Sequence, residues 1–281
     1  MENTTSCGTH KHNTISDGDG KVRDNMTIEK RIEQIIADKM MELNRGDLFR
    51  EPIVSYSSAD DERYFELKEI IGEWHLSPRE LLPNVNSVIS YFVPFTDSVV
   101  FEPKSMETAS PLWGEAYEVI NGYFNHINEA ISDYLTSLNY SVKTIPATHT
   151  YDPKDMKCFW SHRSAAVIAG LGTFGANSLL ITEKGSGGRF CSVLTSAMLV
   201  GAQSLNESEN QEPKCLYMKN GTCGLCIRAC PVGALSFENL DRFACQAELA
   251  KNKEELIEKT SFENVDVCGK CVSICPVAYI E

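Results

Sequence analysis

Two stretches, CGLCIRACP over 223–231 and CGKCVSICP over 268–276, repeat one grammar, Cys-x2-Cys-x3-Cys-Pro. Cys215 stands ahead of the first and Cys245 between the two, so eight of the chain's eleven cysteines fall between 215 and 275. A close Cys-x2-Cys pair offers two thiolates to one inorganic centre, whereas the Cys before Pro at the end of such a run ligates the neighbouring centre. The segment is too short to bury a large apolar core by itself, so bound metal would supply the missing stability.

Applying that crossover gives a first quartet of Cys215, Cys223, Cys226 and Cys275, and a second of Cys230, Cys245, Cys268 and Cys271. Four thiolates each suit two [4Fe–4S] clusters. Zinc is the rival, since two Cys-x2-Cys pairs also make a four-thiolate site. However, the 41 residues between Cys226 and Cys268 exceed ribbon spacing, and zinc leaves the two Cys-Pro ends unexplained. The runs depart from the ordinary C-x2-C-x2-C-x3-C-P in one respect: the first thiolate is displaced to Cys215, and the second run lacks its leading member, a vacancy that Cys245 must fill. Paired clusters move single electrons, and the 214 residues ahead of Cys215 imply an electron sink. A bare carrier has no evident need of them, although an electron-transfer protein without its own substrate is the reading that would dispense with a sink.

The 281 residues are 42% hydrophobic with a net charge of −13, which points to a globular chain of about two domains. So acidic a surface repels phosphate backbones and anionic lipid unless a local basic patch overrides it, so neither nucleic acid nor membrane is an expected partner. The N-terminus has no apolar h-region and no twin-Arg signal, so a cytoplasmic location with reduced thiols is expected. Residues 1–25 are polar and read as a disordered leader, in which Cys7, His10 and His12 lack a scaffold. The longest uncharged stretch, Ser164–Thr182, is rich in turn-forming Gly, Asn and Ser and does not suit a membrane span.

Periodicity predicts a helix from Thr27 to about Gly46, with Ile28, Ile32, Ile35, Ile36, Met40 and Leu43 on one face. Strands are predicted at Ile53–Tyr56 and Ser87–Val93, the second as a buried central strand, followed by a long amphipathic helix from Tyr117 to Leu138. Tyr140–Ala147 reads as a strand, Ser161–Ala169 as a short helix, and Ser178–Thr182 and Arg189–Thr195 as two more strands. Polar, pattern-free residues around 201–214 mark a boundary. The expected organisation is an α+β unit over 26–205 and a small ferredoxin-like double-cluster domain over 206–281.

Gly170-Leu-Gly172-Thr-Phe-Gly175 satisfies G-x-G-x-x-G, but a helix precedes it and a strand follows, the reverse of the dinucleotide-binding context. SHRSAAVIAGLGTFGANSLLIT, KGSGGRFCSVLTS and CGLCIRACPVGAL together resemble epoxyqueuosine reductases and their shorter relatives, with reductive dehalogenases more distant. The similarity runs over roughly residues 80–280 and includes LLPNVNSVISYFVPF. It implies a nitroreductase-like α/β first domain that binds cobalamin base-off, fed with electrons by the two clusters. On that reading Gly170, Gly172, Gly175, Asn177 and Arg189 would hold the cofactor; a tight helix-to-strand connection needing positive φ explains the glycines equally well. The same fold commonly holds FMN, which is the alternative cofactor.

The resemblance also implies a proton donor and an anchor for an anion. The family places an Asp fourteen residues before the first glycine, where this chain has Met156, so the donor is sought among His149, Tyr151, Asp152, Asp155 and His162. Tyr151 and Asp152 are the first choices, and Arg163 aligns with a family Arg. Cys158 and Cys191 stand outside the quartets, either as buried hydrophobes or, for Cys158, as a loop thiol near Arg163. Epoxyqueuosine reductases act on tRNA and usually carry a helical-repeat extension, while this acidic chain stops six residues after Cys275. A small-molecule substrate and an external low-potential donor such as ferredoxin or flavodoxin are therefore the expected partners.

Overall fold

In the computed structural model, residues 26–147, 151, 152, 154–200 and 211–281 are described. The leader, with Cys7, His10 and His12, lies outside them, as do His149 and the side chains of Tyr151 and Asp152. The first unit runs α1 (Ile28–Leu43), β1 (Ile53–Ser58), α2 (Arg63–Ile70), α3 (Pro78–Leu81), β2 (Ser87–Pro94), α4 (Asp97–Phe101), a 3-10 turn (Glu102–Ser105) and α5 (Pro111–Ser137). It continues with β3 (Val142–Thr144), β4 (Tyr151–Asp152), β5 (Lys157–Cys158), α6 (His162–Ile168), β6 (Gly172–Phe174), β7 (Leu180–Thr182) and β8 (Gly188–Thr195). Four helices follow: α7 (Leu216–Asn220), α8 (Leu225–Arg228), α9 (Arg242–Lys259) and α10 (Lys270–Ser273). Among the described residues no helix is long and apolar enough to cross a membrane.

The main sheet has the order β1-β2-β8-β3 and every pairing is antiparallel. SVISYFVP is buried at all eight positions because β2 is flanked by β1 and β8 and covered on both faces. Its odd residues, Ile89, Tyr91 and Val93, share a cluster with α5, while Val88 and Phe92 face the side of α6. The helix α5 starts at Pro111, whose missing N–H costs nothing in a first turn, and Ser110 caps it by accepting from the Trp113 N–H at 2.9 Å. Ile120, Phe124, Ile127, Ile131 and Leu135 are then all buried at helical spacing.

The sheet differs from the sequence reading at two places. The strand expected over Tyr140–Ala147 pairs only at Val142–Thr144, opposite Val193–Thr195, so among the described residues the outer edge of β8 from Gly188 to Ser192 has no strand beside it. The glycine turn contains a strand of its own, β6, in a hairpin with β7; period-2 patterning cannot reveal a three-residue strand with glycine at its head.

The C-terminal segment shares the core of the first unit. Leu256, Val265, Val267, Val272 and Ala278 belong to the same buried cluster as α5 and β2. The Ala278 carbonyl accepts from the Ser186 and Gly187 N–H groups at 2.9 and 3.0 Å. Arg50 clamps the chain end: its guanidinium donates to the carbonyls of Phe95, Lys184 and Ile280 and lies 4.1 Å from the Tyr279 ring centroid. Stability that sequence reasoning assigned to metal alone is thus partly supplied by burial against another unit.

Candidate functional site

The cysteines reach their positions through short helices and caps. Cys215 immediately precedes α7, Cys226 lies in α8 and Cys271 in α10. Cys245, the candidate ligand farthest from any run, sits in the first turn of α9, whose N-cap Asp241 accepts from the Phe243 and Ala244 N–H groups at 3.0 Å each. The Asp241 N–H donates to the Ala234 carbonyl at 2.8 Å. This bond ties the helix carrying Cys245 to the loop behind Cys230-Pro231. Cys230 Sγ itself accepts from the Ala234 N–H at 3.2 Å, the kind of bond that tunes a cluster sulfur.

Electrostatic proximity sorts the thiols. Burial pushes Cys275 up to about 11, and the cysteines that add to the shift are Cys226, Cys215 and Cys223. Burial likewise raises Cys245, with Cys268 and Cys230 adding to it. Cys271 is pushed to about 12, by burial first and then by Cys268, Cys245, Cys226 and Cys230. Cys275 therefore keeps company with the first run and Cys230 with the second, and Cys271, which also feels Cys226, lies where the two groups adjoin. No three or more of the described His, Cys, Asp and Glu side chains converge as ligands of a single ion would; thiolates around a cubane enclose a larger body. The described cysteines form no disulfide.

The second group faces the first unit. Asn177, buried in the β6–β7 turn, accepts from the Leu179 N–H at 3.2 Å and donates to the carbonyl of Cys271 at 3.4 Å. Next to it, Arg163 in the first turn of α6 donates to the Ser178 carbonyl at 2.9 Å. Arg163 is exposed. Desolvation pulls it down to about 10, with Arg189 and Arg242 pressing in the same direction and Cys271 opposing. Arg189, at the start of β8 opposite Val93 of β2, donates to Asn121 Oδ1 at 3.1 Å and stacks 4.6 Å from the Tyr117 centroid. The Asn121 amide nitrogen beside it is buried with no partner. Arg163, Arg189 and Asn121 thus each present hydrogen-bond donors, and Arg163 does so beside the turn that meets Cys271.

The three glycines are each accounted for by the helix-to-strand connection. Gly170 has φ +80° and closes α6 in a Schellman arrangement: its N–H donates to Val167 and that of Leu171 to Ala166, both at 2.9 Å. A Cβ on Gly172 would stand 2.2 Å from the Ile181 carbonyl oxygen in the partner strand. A Cβ on Gly175 would crowd Asn177 and Ile181 at 3.0 Å. The fold itself demands these three glycines, whatever cofactor binds nearby. In agreement with the sequence reading, a helix precedes the motif and a strand follows it.

The donor candidates separate. His162 is buried and fully engaged: its Nδ1 accepts from Ser192 Oγ at 2.7 Å and its Nε2 donates to the Pro146 carbonyl at 3.2 Å. Trp160 Nε1 donates to the same Ser192 Oγ at 2.9 Å. Burial takes the imidazole down to about 4; it is a neutral latch. Asp155 is exposed and paired with Lys157 at 2.7 Å. Cys158 donates to the Trp160 carbonyl at 3.0 Å, and Cys191 is a fully buried core residue beside Asn128. The Trp160–Ser192–His162 network and Asn121 were not foreseen, because their partners lie on β8, α5 and α6, far apart in sequence. A cavity of about 710 Å³ at the outer edge of β1 is a separate feature; Glu33, Glu51, Glu183 and Glu212 line it, and neither Arg163 nor any cysteine reaches it.

Residues 219–278 match the 4Fe-4S double cluster binding domain. This segment is a double-cluster iron–sulfur domain. An epoxyqueuosine reductase of Cyclobacterium marinum is 26% identical over 208 residues, covering 72% of this chain and 61% of that protein. The chain therefore spans under two thirds of the curated relative it matches. Its fold resembles that of a selenomethionine-labelled epoxyqueuosine reductase, with a TM-score of 0.51 at 19% identity, covering 89% of this chain and 68% of the other. The Streptococcus thermophilus epoxyqueuosine reductase gives 0.51 at 16%, covering 88% and 66%. A third, solved with a tRNA-Tyr epoxyqueuosine-modified stem loop, gives 0.52 at 17%, covering 91% and 68%. That bound RNA runs against the expectation of a small-molecule substrate with nucleic acid an unlikely partner. Net charge is a sum over the whole surface and does not say where cations gather; Arg189 and Arg242 both act on Arg163.

Proposed function

We propose that this chain is an iron–sulfur reductase of the epoxyqueuosine reductase type, with residues 26–205 as a nitroreductase-like catalytic unit and 206–281 as the electron-entry unit. The observation that carries this reading is the seating of Cys271 against Asn177, beside Arg163, which would stand on one wall of a cofactor cleft. The quartets proposed for the two clusters are Cys215, Cys223, Cys226 and Cys275, and Cys230, Cys245, Cys268 and Cys271. A base-off corrinoid fits the cleft by the chemistry of its walls: Arg163, Arg189 and the orphaned Asn121 amide are all donors, and a corrinoid's rim is rich in amide and phosphate acceptors. When bound, it would supply a low-valent cobalt nucleophile.

The chain's own residues have simpler tasks. Arg163 and Arg189 hold anionic groups against the cleft wall, and Asn177 keeps the Cys271 loop in contact with it. Tyr151 or Asp152, on the hairpin leading into α6, delivers a proton to the anion that develops on the substrate. The substrate class that the relatives support is an electrophilic modified nucleoside carried on RNA, reached by a local basic cleft on an otherwise acidic molecule.

The test is anaerobic EPR of cluster-loaded protein titrated with cob(II)alamin. Loss of the axial-nitrogen splitting is the expected result. A spectrum that stays that of free cobalamin, with both clusters present and reducible, would reject the corrinoid and leave FMN or protein-to-protein electron transfer.

A further inference from the structure

Arg163 and Arg242 come from different units and stand where the units join. Asn177 donates to the Cys271 carbonyl across that junction, and Arg163 donates to the carbonyl of the next residue, Ser178, at 2.9 Å. Arg242 is the first residue of α9, the helix whose first turn also carries Cys245. Arg242 is near enough to act on Arg163, as Arg189 does. Arg163 and Arg242 are exposed, whereas Arg189 is half-buried with its guanidinium against Asn121 and Tyr117.

The pair is unfavourable as it stands. Arg45, Arg63 and Arg79 each meet an aspartate carboxylate, but among the described residues no carboxylate pairs with Arg163 or Arg242. Asp241, the acid next to Arg242 in sequence, is engaged with the Phe243 and Ala244 N–H groups. Position adds a second cost. The N-terminus of a helix carries partial positive charge, which favours acids and disfavours cations; the first turn of the 18-residue α9 holds no acid and begins with arginine. Two neighbouring cations, one of them at the positive end of a helix, become favourable once an anion lies between them. The planar fork of a guanidinium matches phosphate oxygens, and one phosphodiester can accept from two such forks.

Resting on the RNA-borne substrate of the reading above, we propose that Arg163 and Arg242 clamp one backbone phosphodiester of that RNA, one arginine from each unit. Such a contact fixes the register of the strand across the junction without reading its sequence. The more buried Arg189 and Asn121 are left to the ligand held inside. The iron–sulfur unit then takes part in binding the substrate as well as in electron transfer.

The test uses cluster-loaded full-length protein and a short RNA stem loop without the modified base, titrated by fluorescence anisotropy. Each backbone phosphate is replaced in turn by a neutral methylphosphonate. In the wild type, one such replacement should weaken binding by about tenfold. In Arg242→Gln, and equally in Arg163→Gln, the same replacement should no longer matter. Each variant should also lower the slope of log affinity against log salt by about 1. Arg228→Gln, which removes an exposed arginine elsewhere on the iron–sulfur unit, should keep the wild-type pattern of sensitivity. A wild type that does not bind the stem loop, or that has no sensitive phosphate, overturns the clamp. So do losses from Arg242→Gln and the neutralised phosphate that simply add. An Arg242→Gln protein that changes only the reduction potential of a cluster also overturns it, by assigning the arginine to the charge of the cluster. Titration of the same wild-type protein with cob(II)alamin separates the two readings: a spectrum that stays that of free cobalamin rejects the corrinoid, and the phosphate scan still decides the clamp.

Discussion

The two halves of this chain reach a fixed structure by different means, and the difference shows in what each can lose. Around β2 and α5, Phe124, Ile127, Ile131 and Leu135 are fully buried and fill space between helix and sheet. From residue 211 onward, α7, α8 and α10 have five residues or fewer, too few to be stable as isolated helices. They are positioned by thiol ligands, by the cap at Asp241, and by inserting Val265, Val267, Val272 and Ala278 into the other unit's core. One region is specified by volume and the other by ligation.

The largest expected effect separates the two regions cleanly. Cys226→Ser should remove one cluster, dropping iron from about eight to about four atoms per chain, and should loosen the whole C-terminal segment in hydrogen exchange while leaving β2 and α5 protected. Unchanged iron would break the ligand scheme. The converse substitution, Phe124→Ala, should cost about 3–5 kcal/mol in denaturant midpoint analysis with iron content unaltered; loss of iron at full stability would erase the distinction between the regions.

Smaller effects test the bolts between them. Arg50→Met removes charge-assisted bonds to Phe95, Lys184 and Ile280 and should cost about 2–3 kcal/mol. Fast exchange at the Ser186 and Gly187 amides, which donate to Ala278, would report the freed chain end. Asp241→Ala should cost about 1 kcal/mol as a lost cap, and should lower occupancy of the second cluster more than the first by misplacing Cys245. Equal loss of both would show that the cap does not act through that ligand.

The smallest effect is a pH dependence. His162 has a pKa of about 4 when folded, against an ordinary value of 6.5, because burial penalises the charged ring; the buried His75 is lowered to about 4 for the same reason. The unfolded chain then binds more protons between these values, so stability is complete above pH 6.5 and falls as pH drops toward 4. His162→Gln should flatten urea midpoints compared at pH 7 and pH 5, and an unaltered slope would mean the latch does not titrate as a buried neutral group.

Much of this was legible in sequence where one local signal dominates. The apolar periodicity of α1 and α5, the uniform apolarity of β2 and the two Cys-Pro runs each read correctly because burial or ligation acts over a few consecutive residues. The quartets follow from motif grammar, and the thiols' electrostatic neighbours group in the same way. What could not be read depends on distant partners. Nothing local shows that the Ile181 carbonyl lies against Gly172. His162 looked like a proton donor because Ser192 and Pro146 are far along the chain. The short reach of β3, which leaves the edge of β8 open beside Arg189, is likewise a tertiary fact. The expectation against nucleic acid rested on whole-chain charge, which carries no information about where on the surface cations gather.

The account turns on the exchange of Cys230 and Cys275 between the runs, and EPR of reduced single-serine variants tests it most directly. Cys275→Ser should leave the same residual cluster spectrum as Cys226→Ser, and Cys230→Ser the same as Cys271→Ser. If Cys275→Ser instead matched Cys271→Ser, each run would hold its own cluster, and the crossed arrangement that brings the two together would be wrong.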